Sequence, residues 1–224
     1  CRRDLSVISA LGANAVRTYG DDVANDHSDF LREAQNNGLE VIPAISDWPY
    51  RKMPGSCQTT GFHCRDQVHR HYSEMLRKGF GTAGSYHPAI RMVVVVNEPE
   101  TTLSESQEDW LLAVVSAIDG ILSAEKEAGV AWSALLPQLT VPFSLAMYHK
   151  KMDLLREAMQ NPSTLGYEPT NDLGAAYTER FVNSVNAANH GAEFVIDTLM
   201  MYEEQFPTTP IFITEYHSAE KGNK

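Results

Sequence analysis

The stretch that decides the fold runs from residue 90 to residue 99 and reads IRMVVVVNEP. Its unbroken apolar run is typical of a strand buried on both faces, as in a parallel sheet covered by helices. This run leads into Glu98, and a second apolar run at residues 210–215, PIFITE, ends in Glu215. A carboxylate at the end of such a strand is costly to desolvate unless it has polar partners or opens into a cleft. The two glutamates are therefore candidate functional residues.

The composition of the 224-residue chain is that of an ordinary globular domain, with 43% hydrophobic residues. We predict one domain over residues 1–224. The formal net charge of −11 argues against a nucleic-acid partner, which would require a basic face. No run approaches the roughly 20 apolar residues of a membrane span. The sequence starts at Cys1 without an initiator Met, so we expect the native N-terminus and any targeting segment to be missing.

Two of the three cysteines, Cys57 and Cys64, flank a short polar loop. Their spacing allows a local disulfide, and it is also compatible with two unpaired thiols. A zinc site that adds His63 or His69 is a third interpretation, although the CxxC spacing of many zinc sites is missing. The sequence leaves these alternatives open.

Helix and strand patterns alternate along the whole chain. Helices are predicted at residues 4–11, 28–37, 66–78, 106–128, 152–159 and 192–205. Strands are predicted at residues 13–19, 39–46, 90–98, 139–147, 180–186 and 210–215. This alternation predicts a parallel sheet, and no Gly-rich phosphate loop follows any strand, which favours a closed (β/α)₈ TIM barrel over an open nucleotide-binding sheet. With six strands visible, we expect an incomplete barrel whose first and last strands are missing from this chain.

The two glutamates fall at corresponding places in such a barrel, where the active site lies at the C-terminal ends of the strands. Glu98 ends the third predicted strand and Glu215 the sixth, so the two carboxylates should lie nearly opposite each other across the barrel mouth. Strand alternation predicts that each shares an inward face with the two branched residues before it: Val94 and Val96 with Glu98, and Ile211 and Ile213 with Glu215.

Arg17 lies within the first predicted strand, and a buried arginine needs a carboxylate partner. One interpretation is that Arg17 hydrogen-bonds Glu215 and keeps it ionised as a nucleophile, which leaves Glu98 as the proton donor. The other is a structural arginine at the strand end that pairs with Asp21 or Asp22.

These residues resemble a known group of enzymes. The tripeptide Asn97-Glu98-Pro99 after a hydrophobic strand looks like the acid/base signature of the clan-A glycoside hydrolases, which are retaining (β/α)₈ enzymes. Residues 213–216, ITEY, resemble their nucleophile strand, and Arg17 matches the clan's second-strand arginine. The resemblance implies that Glu98 is the acid/base and Glu215 the nucleophile. It also implies that Asn97 contacts the sugar hydroxyl next to the reacting carbon and that Tyr216 or a neighbouring aromatic residue orients the nucleophile.

Within the clan, the N-terminal part is most similar to one family. Residues 11–19, LGANAVRTY, followed by Asp26-His27, resemble the fungal-type β-1,3-glucanosyltransferases. The acid/base strand departs from that family, which usually has Gly-Asn-Glu, and leans toward endoglucanase- or mannanase-like relatives.

Other candidates for substrate contact are polar and aromatic residues at or just after predicted strands, where rings can stack on the apolar faces of sugars. The full set of predicted substrate-binding residues is Arg17, Tyr19, Asn97, Trp48, Tyr148, Tyr216 and His217.

The leading hypothesis is a retaining glycoside hydrolase or transglycosylase that acts on β-linked glucan-type polysaccharide through Glu98 and Glu215. Its partner is then a polysaccharide or oligosaccharide, and no metal or organic cofactor is required. We expect an extracellular or cell-wall location. The alternatives are a non-catalytic carbohydrate-binding barrel and a metal-dependent barrel isomerase or hydrolase that uses both glutamates and a histidine.

Overall fold

The computed structural model describes residues 2–20, 22–133, 136–145, 148–188, 190–207 and 209–217, without the side chains of Arg2, Tyr148, His149 and His217. The helices are α1 (Arg2–Ala10), α2 (Ser28–Asn36), α3 (Arg65–Met75), α4 (Pro99–Thr102), α5 (Gln107–Glu127), α6 (Tyr148–Gln160), α7 (Leu173–Arg180) and α8 (Ala192–Gln205). The strands are β1 (Ala15–Arg17), β2 (Glu40–Ile42), β3 (Gly81–Thr82), β4 (Ser85–Tyr86), β5 (Met92–Val94), β6 (Gln138–Ser144), β7 (Phe181–Ala188) and β8 (Ile211–His217).

The main sheet is parallel and follows chain order. Strand β1 pairs with β2, and β5, β6, β7 and β8 pair in sequence. Two isolated parallel bridges, Val41 to Ile90 and Ala44 to Val94, join the two groups. The result is a half-barrel of six parallel strands in the order β1-β2-β5-β6-β7-β8, which confirms the predicted α/β class and parallel sheet.

The main hydrophobic core lies between this sheet and the helices around it. Trp110 of the long helix α5 packs edge-on against Phe143 of β6, with ring centroids 5.6 Å apart. Every second side chain of β6 and β7 points into the half-barrel. There the hydroxyls of Thr140 and Ser184 lie 2.7 Å apart. The interior therefore contains buried polar groups, not only the branched aliphatic side chains that alternation predicted.

Several predicted boundaries were wrong. Strand β5 stops at Val94, although the apolar run continues. The short hairpin of β3 and β4 and the helix α7 were not predicted. Arg180, predicted to start a strand, instead ends α7, and both of its terminal nitrogens lie 2.6 Å from the carboxylate oxygens of Glu125. This buried ion pair explains how a charged side chain is buried directly before β7.

The predicted face of the last strand was also wrong, because β8 contains a bulge. Val185 pairs with Ile213 but Asn186 pairs with Glu215, so Thr214 is an extra residue that is skipped in the strand register. A bulge of one residue reverses the side-chain alternation beyond it. Ile211 and Ile213 therefore point to the side opposite Glu215.

The loop before α3 is closed by a disulfide between Cys57 and Cys64. Of the three interpretations of these cysteines, the disulfide is confirmed, and the free thiols and the zinc site were wrong. The backbone N–H of Cys64 also donates to the Ser116 hydroxyl of α5 over 2.9 Å, which ties this loop to the core. No helix in the described part of the chain is long and apolar enough to cross a bilayer.

Candidate active site

Arg17 connects the two edges of the half-barrel at the C-terminal ends of the strands. Its Nη1 lies 3.0 Å from Oε1 of Glu215 and donates to the Thr214 carbonyl over 3.1 Å. Its Nη2 donates to Oδ1 of Asn97 over 2.7 Å. The Arg17 side chain is only 9% exposed and that of Glu215 is 28% exposed, so the pair is largely shielded from water. Of the carboxylates considered as partners of Arg17, Glu215 forms the ion pair and Asp22 does not. Asp21 lies outside the described residues.

The backbone at Glu98 brings two consecutive side chains into this site. Glu98 has φ +45° and ψ +60°, a left-handed conformation that costs a non-glycine residue about 1–3 kcal/mol. Its N–H donates to the Pro142 carbonyl over 2.8 Å, and Pro99 starts α4 directly after it. In an extended strand, Asn97 and Glu98 would point to opposite faces. Strand alternation therefore does not extend to Asn97, because the strand ends at Val94.

The hub of the site is Asn186 near the end of β7, which was not predicted. Its Nδ2 donates to Oε1 of Glu98 over 2.9 Å and to Oδ1 of Asn97 over 3.0 Å. Its Oδ1 accepts from the Thr214 hydroxyl over 2.7 Å and from Nη1 of Arg17 over 3.4 Å. One amide thus links both glutamate positions. The available signal was a polar residue near the end of a buried strand, the same signal that marked the glutamates.

Asn97 is oriented by the same contacts. Its Oδ1 accepts hydrogen bonds from both Arg17 and Asn186, which holds the oxygen toward the protein. The amide NH₂ is thereby left on the opposite side, and Asn97 lines the cleft described below. The arrangement presents a hydrogen-bond donor beside Glu98.

Tyr19 lies over the guanidinium of Arg17, with its ring centroid 4.5 Å from Cζ of Arg17. Partial burial raises the pKa of Tyr19 above its ordinary value. A hydrogen bond to Glu215 and the charges of Glu215 and Glu98 raise it further, and Arg17 opposes the shift. The phenol is therefore protonated at neutral pH and can donate to Glu215.

An open cleft of about 690 Å³ leads away from these residues. Tyr19 and Asn97 lie at one part of its wall, and Trp48 contributes an indole that is 50% exposed. His71 lies on the cleft wall, nearly buried, with Nε2 3.4 Å from the Ser46 hydroxyl. Burial lowers the pKa of His71 to about 4, so its ring is neutral at neutral pH. The cleft wall thus combines aromatic and neutral polar groups with the charged residues Asp22, Asp47, Arg51 and Lys52.

The remaining predicted residues have different positions. Tyr216 follows Glu215 in β8 and is about half exposed. The side chains of Tyr148 and His217 lie outside the described residues. Among the residues that the structure describes, no group of three or more His, Cys, Asp or Glu side chains is arranged to hold a metal ion.

The fold is similar to that of solved glycosidases. A family 1 β-glucosidase from Thermotoga maritima matches with a TM-score of 0.55 and 13% identity over 95% of this chain and 65% of that chain. An FMN-binding β-glucuronidase from Facaelibacterium prausnitzii L2-6 matches with a TM-score of 0.58 and 17% identity over 97% of this chain and 27% of that chain. A β-glucosidase from Trichoderma harzianum matches with a TM-score of 0.53 and 10% identity over 95% and 65%.

These matches establish the fold. The parallel half-barrel sheet matches part of the barrel in these structures. Identities of 10–17% are too low to infer the substrate of this chain from these matches. The chain spans about two thirds of the length of the two β-glucosidases. No protein-family model matches the sequence, and no curated protein matches it.

Proposed function

We propose that this protein is a retaining glycoside hydrolase or transglycosylase acting on β-linked glucan-type polysaccharide. The observation that carries the proposal is the network in which Arg17 contacts Glu215 while Asn186 contacts Glu98, at the C-terminal mouth of a parallel half-barrel. Two carboxylates held at one site, one of them paired with a cation, supply the acid and the nucleophile of double displacement.

In the first step, a carboxylate oxygen of Glu215 bonds to the anomeric carbon as the bond from that carbon to the glycosidic oxygen breaks. Glu98 gives its proton to the departing oxygen. In the second step, Glu98 takes a proton from water or from an acceptor sugar hydroxyl, whose oxygen attacks the anomeric carbon and releases Glu215. The Arg17 guanidinium, 3.0 Å from Glu215, holds the nucleophile in place.

The other residues of the site bind and orient the sugar. The free NH₂ of Asn97 donates to the hydroxyl next to the reacting carbon, and the Tyr19 hydroxyl orients Glu215. Trp48 gives a stacking surface farther along the cleft, and we assign substrate contact also to Tyr216, Tyr148 and His217.

We propose further that the half-barrel belongs to a (β/α)₈ barrel of clan-A type and that residues 1–224 are part of its single catalytic domain. The support is the strand order, with β5 and β8 three strands apart as the clan places its acid/base and nucleophile strands. The β-glucosidase neighbours, by their names, act on β-linked glucosides, which supports a β-linked substrate. The N-terminal sequence pattern supports transfer to sugar acceptors, as in glucanosyltransferases.

We also propose an extracellular or cell-wall location. Its support is the Cys57–Cys64 disulfide, since disulfides form and persist mainly in oxidising compartments.

The test compares Glu215→Gln and Glu98→Gln with Glu108→Gln, which changes an exposed glutamate at the start of α5. Activity is measured on laminarin, mannan and cellulose, and binding on the polymer that is cleaved. We expect both site variants to lose at least about 100-fold in turnover and to keep binding, while Glu108→Gln behaves as the wild type. Binding without turnover in the wild-type protein would instead identify a carbohydrate-binding barrel.

A further inference from the structure

Asn186 is buried, with 3% of its surface exposed, and every hydrogen-bonding position of its amide is used. Two bonds leave Nδ2, to Glu98 and Asn97, and two arrive at Oδ1, from Thr214 and Arg17. The neighbouring pairing of Asn186 with Ser144 on one side and with Glu215 on the other holds its backbone inside the sheet. The Asn186 side chain is therefore held in one orientation, and this orientation sets the position of the Glu98 carboxyl group.

The orientation of this amide follows from its partners. Arginine donates hydrogen bonds and has no acceptor, so the Asn186 atom that faces Arg17 must be the oxygen. The NH₂ group then faces Glu98 and Asn97. A reversed amide would place N–H groups against the guanidinium and an oxygen against two other oxygens.

The geometry points to Asn186 as a positioning residue that decides which oxygen of Glu98 transfers the proton; this inference rests on the proposed function. The N–H of Asn186 aims at Oε1 of Glu98, and a proton on Oε1 would compete for the same position. The transferable proton is therefore on Oε2, whose nearest described partner is the Thr101 hydroxyl at 3.4 Å, a long contact. Oε1 is the anchored oxygen and Oε2 the reacting one.

The bond from Asn186 is the one that fixes the Glu98 carboxyl, since it holds Oε1 at 2.9 Å. Without the Asn186 donor, Oε1 is no longer anchored, and the proton that Glu98 transfers has no fixed direction.

The chain supplies a matched control on the same strand. Asn183 is equally buried, at 2% exposure, and its Nδ2 donates to the Tyr202 hydroxyl of α8 over 3.0 Å. It points to the helix side of β7, away from the glutamates. Asn183→Ala therefore removes a buried amide and its hydrogen bond without changing the site.

The experiment measures kcat/KM of the complete protein on laminarin, whose leaving group needs a proton, and on 2,4-dinitrophenyl β-laminaribioside, whose leaving group does not. For Asn186→Ala we expect a loss of at least about tenfold on laminarin and less than about threefold on the activated glycoside. Asn183→Ala should show no such selective loss on laminarin.

Asn186→Asp is a second variant of the same size. It replaces the donor with an acceptor, so the selective loss on laminarin should be at least as large as in Asn186→Ala. Equal losses on both substrates in both variants would show a structural role and overturn the inference alone. A wild-type protein that cleaves neither substrate would overturn the proposed function and the inference with it.

Discussion

The Arg17 guanidinium in β1 lies 3.0 Å from the Glu215 carboxylate in β8, across 198 residues of sequence and between the two edge strands of the half-barrel. This contact sets the distance between the edges at the mouth of the sheet. Because Arg17 also holds Asn97, the same side chain positions the residue beside Glu98. Arg17 therefore holds the residues of the site in place and also places a positive charge beside the Glu215 carboxylate.

Replacing Arg17 should damage turnover more than binding. A lysine in Arg17→Lys keeps the charge but cannot reach Glu215, Thr214 and Asn97 together, since it lacks the planar fork of the guanidinium. We expect kcat on laminarin to fall by about 100-fold or more. The control is Arg32→Lys in α2, whose surface arginine pairs with Asp29 on its own helix. Turnover within threefold of the wild type in Arg17→Lys would show that the contacts of the guanidinium are dispensable.

Trp48 should contribute to binding along the cleft. The loss of one stacking ring in Trp48→Ala is expected to weaken binding of long glucan chains by about 0.5–1.5 kcal/mol, or about 2- to 10-fold in KM, with little change in kcat. Trp132→Ala is a matched control, because Trp132 is 49% exposed against 50% for Trp48 and lies outside the cleft. Equal KM values for the two variants would contradict a binding role for Trp48.

His71 should make the protein less stable in mild acid. Burial lowers the folded-state pKa of His71 to about 4 from an ordinary 6.5, with Asp22 opposing the shift. Between these values the unfolded chain binds more protons than the folded one, so this contribution to stability is fully present above pH 6.5 and is lost as the pH falls toward 4. We expect a loss of up to about 1.4 kcal/mol per pH unit in that window.

Urea unfolding at about pH 7.5 and about pH 5 measures this loss. His71→Gln should reduce the difference between the two conditions. His63→Gln, at an exposed position, should leave the difference as it is in the wild type. The same pH dependence in all three proteins would assign the acid sensitivity to other groups.

The disulfide should be detectable by alkylation. In denaturant without reductant, Cys57 and Cys64 should remain unlabelled, and both should react once a reductant is added. The double variant Cys57→Ala/Cys64→Ala should be less stable by about 2–3 kcal/mol, the loop-closure contribution of a short loop. Labelling of both cysteines in the protein without reductant would show that the bridge does not form.

Sequence reasoning was most reliable where a pattern extends over the whole chain. Glu98 and Glu215 end up three strands apart because the parallel strands follow chain order, and alternating helices and strands indicate that order directly. The contact between Arg17 and Glu215 was one of two interpretations of a buried arginine, and it is the one that the structure shows. No residue-level detail is needed for this part of the fold.

Details that depend on single residues were missed. Nothing in the run around Thr214 marks it as a bulge, because a bulge arises from the fit of two strands and not from one strand's composition. Asn183 and Asn186 look alike in sequence, three residues apart, yet one faces α8 and the other the site. To decide between them, one must know which face of β7 points into the half-barrel. Polar residues lie on both faces of this strand, so its sequence does not show which face that is.

The covalent intermediate on Glu215 is the most direct test of the account. The protein is incubated with 2,4-dinitrophenyl 2-deoxy-2-fluoro-β-laminaribioside, digested, and analysed by mass spectrometry. We predict one added fluoroglycosyl group, located on Glu215, together with loss of activity. A label on another residue, or no label while the protein cleaves laminarin with inversion at the anomeric carbon, would contradict the assignment of Glu215 as the nucleophile.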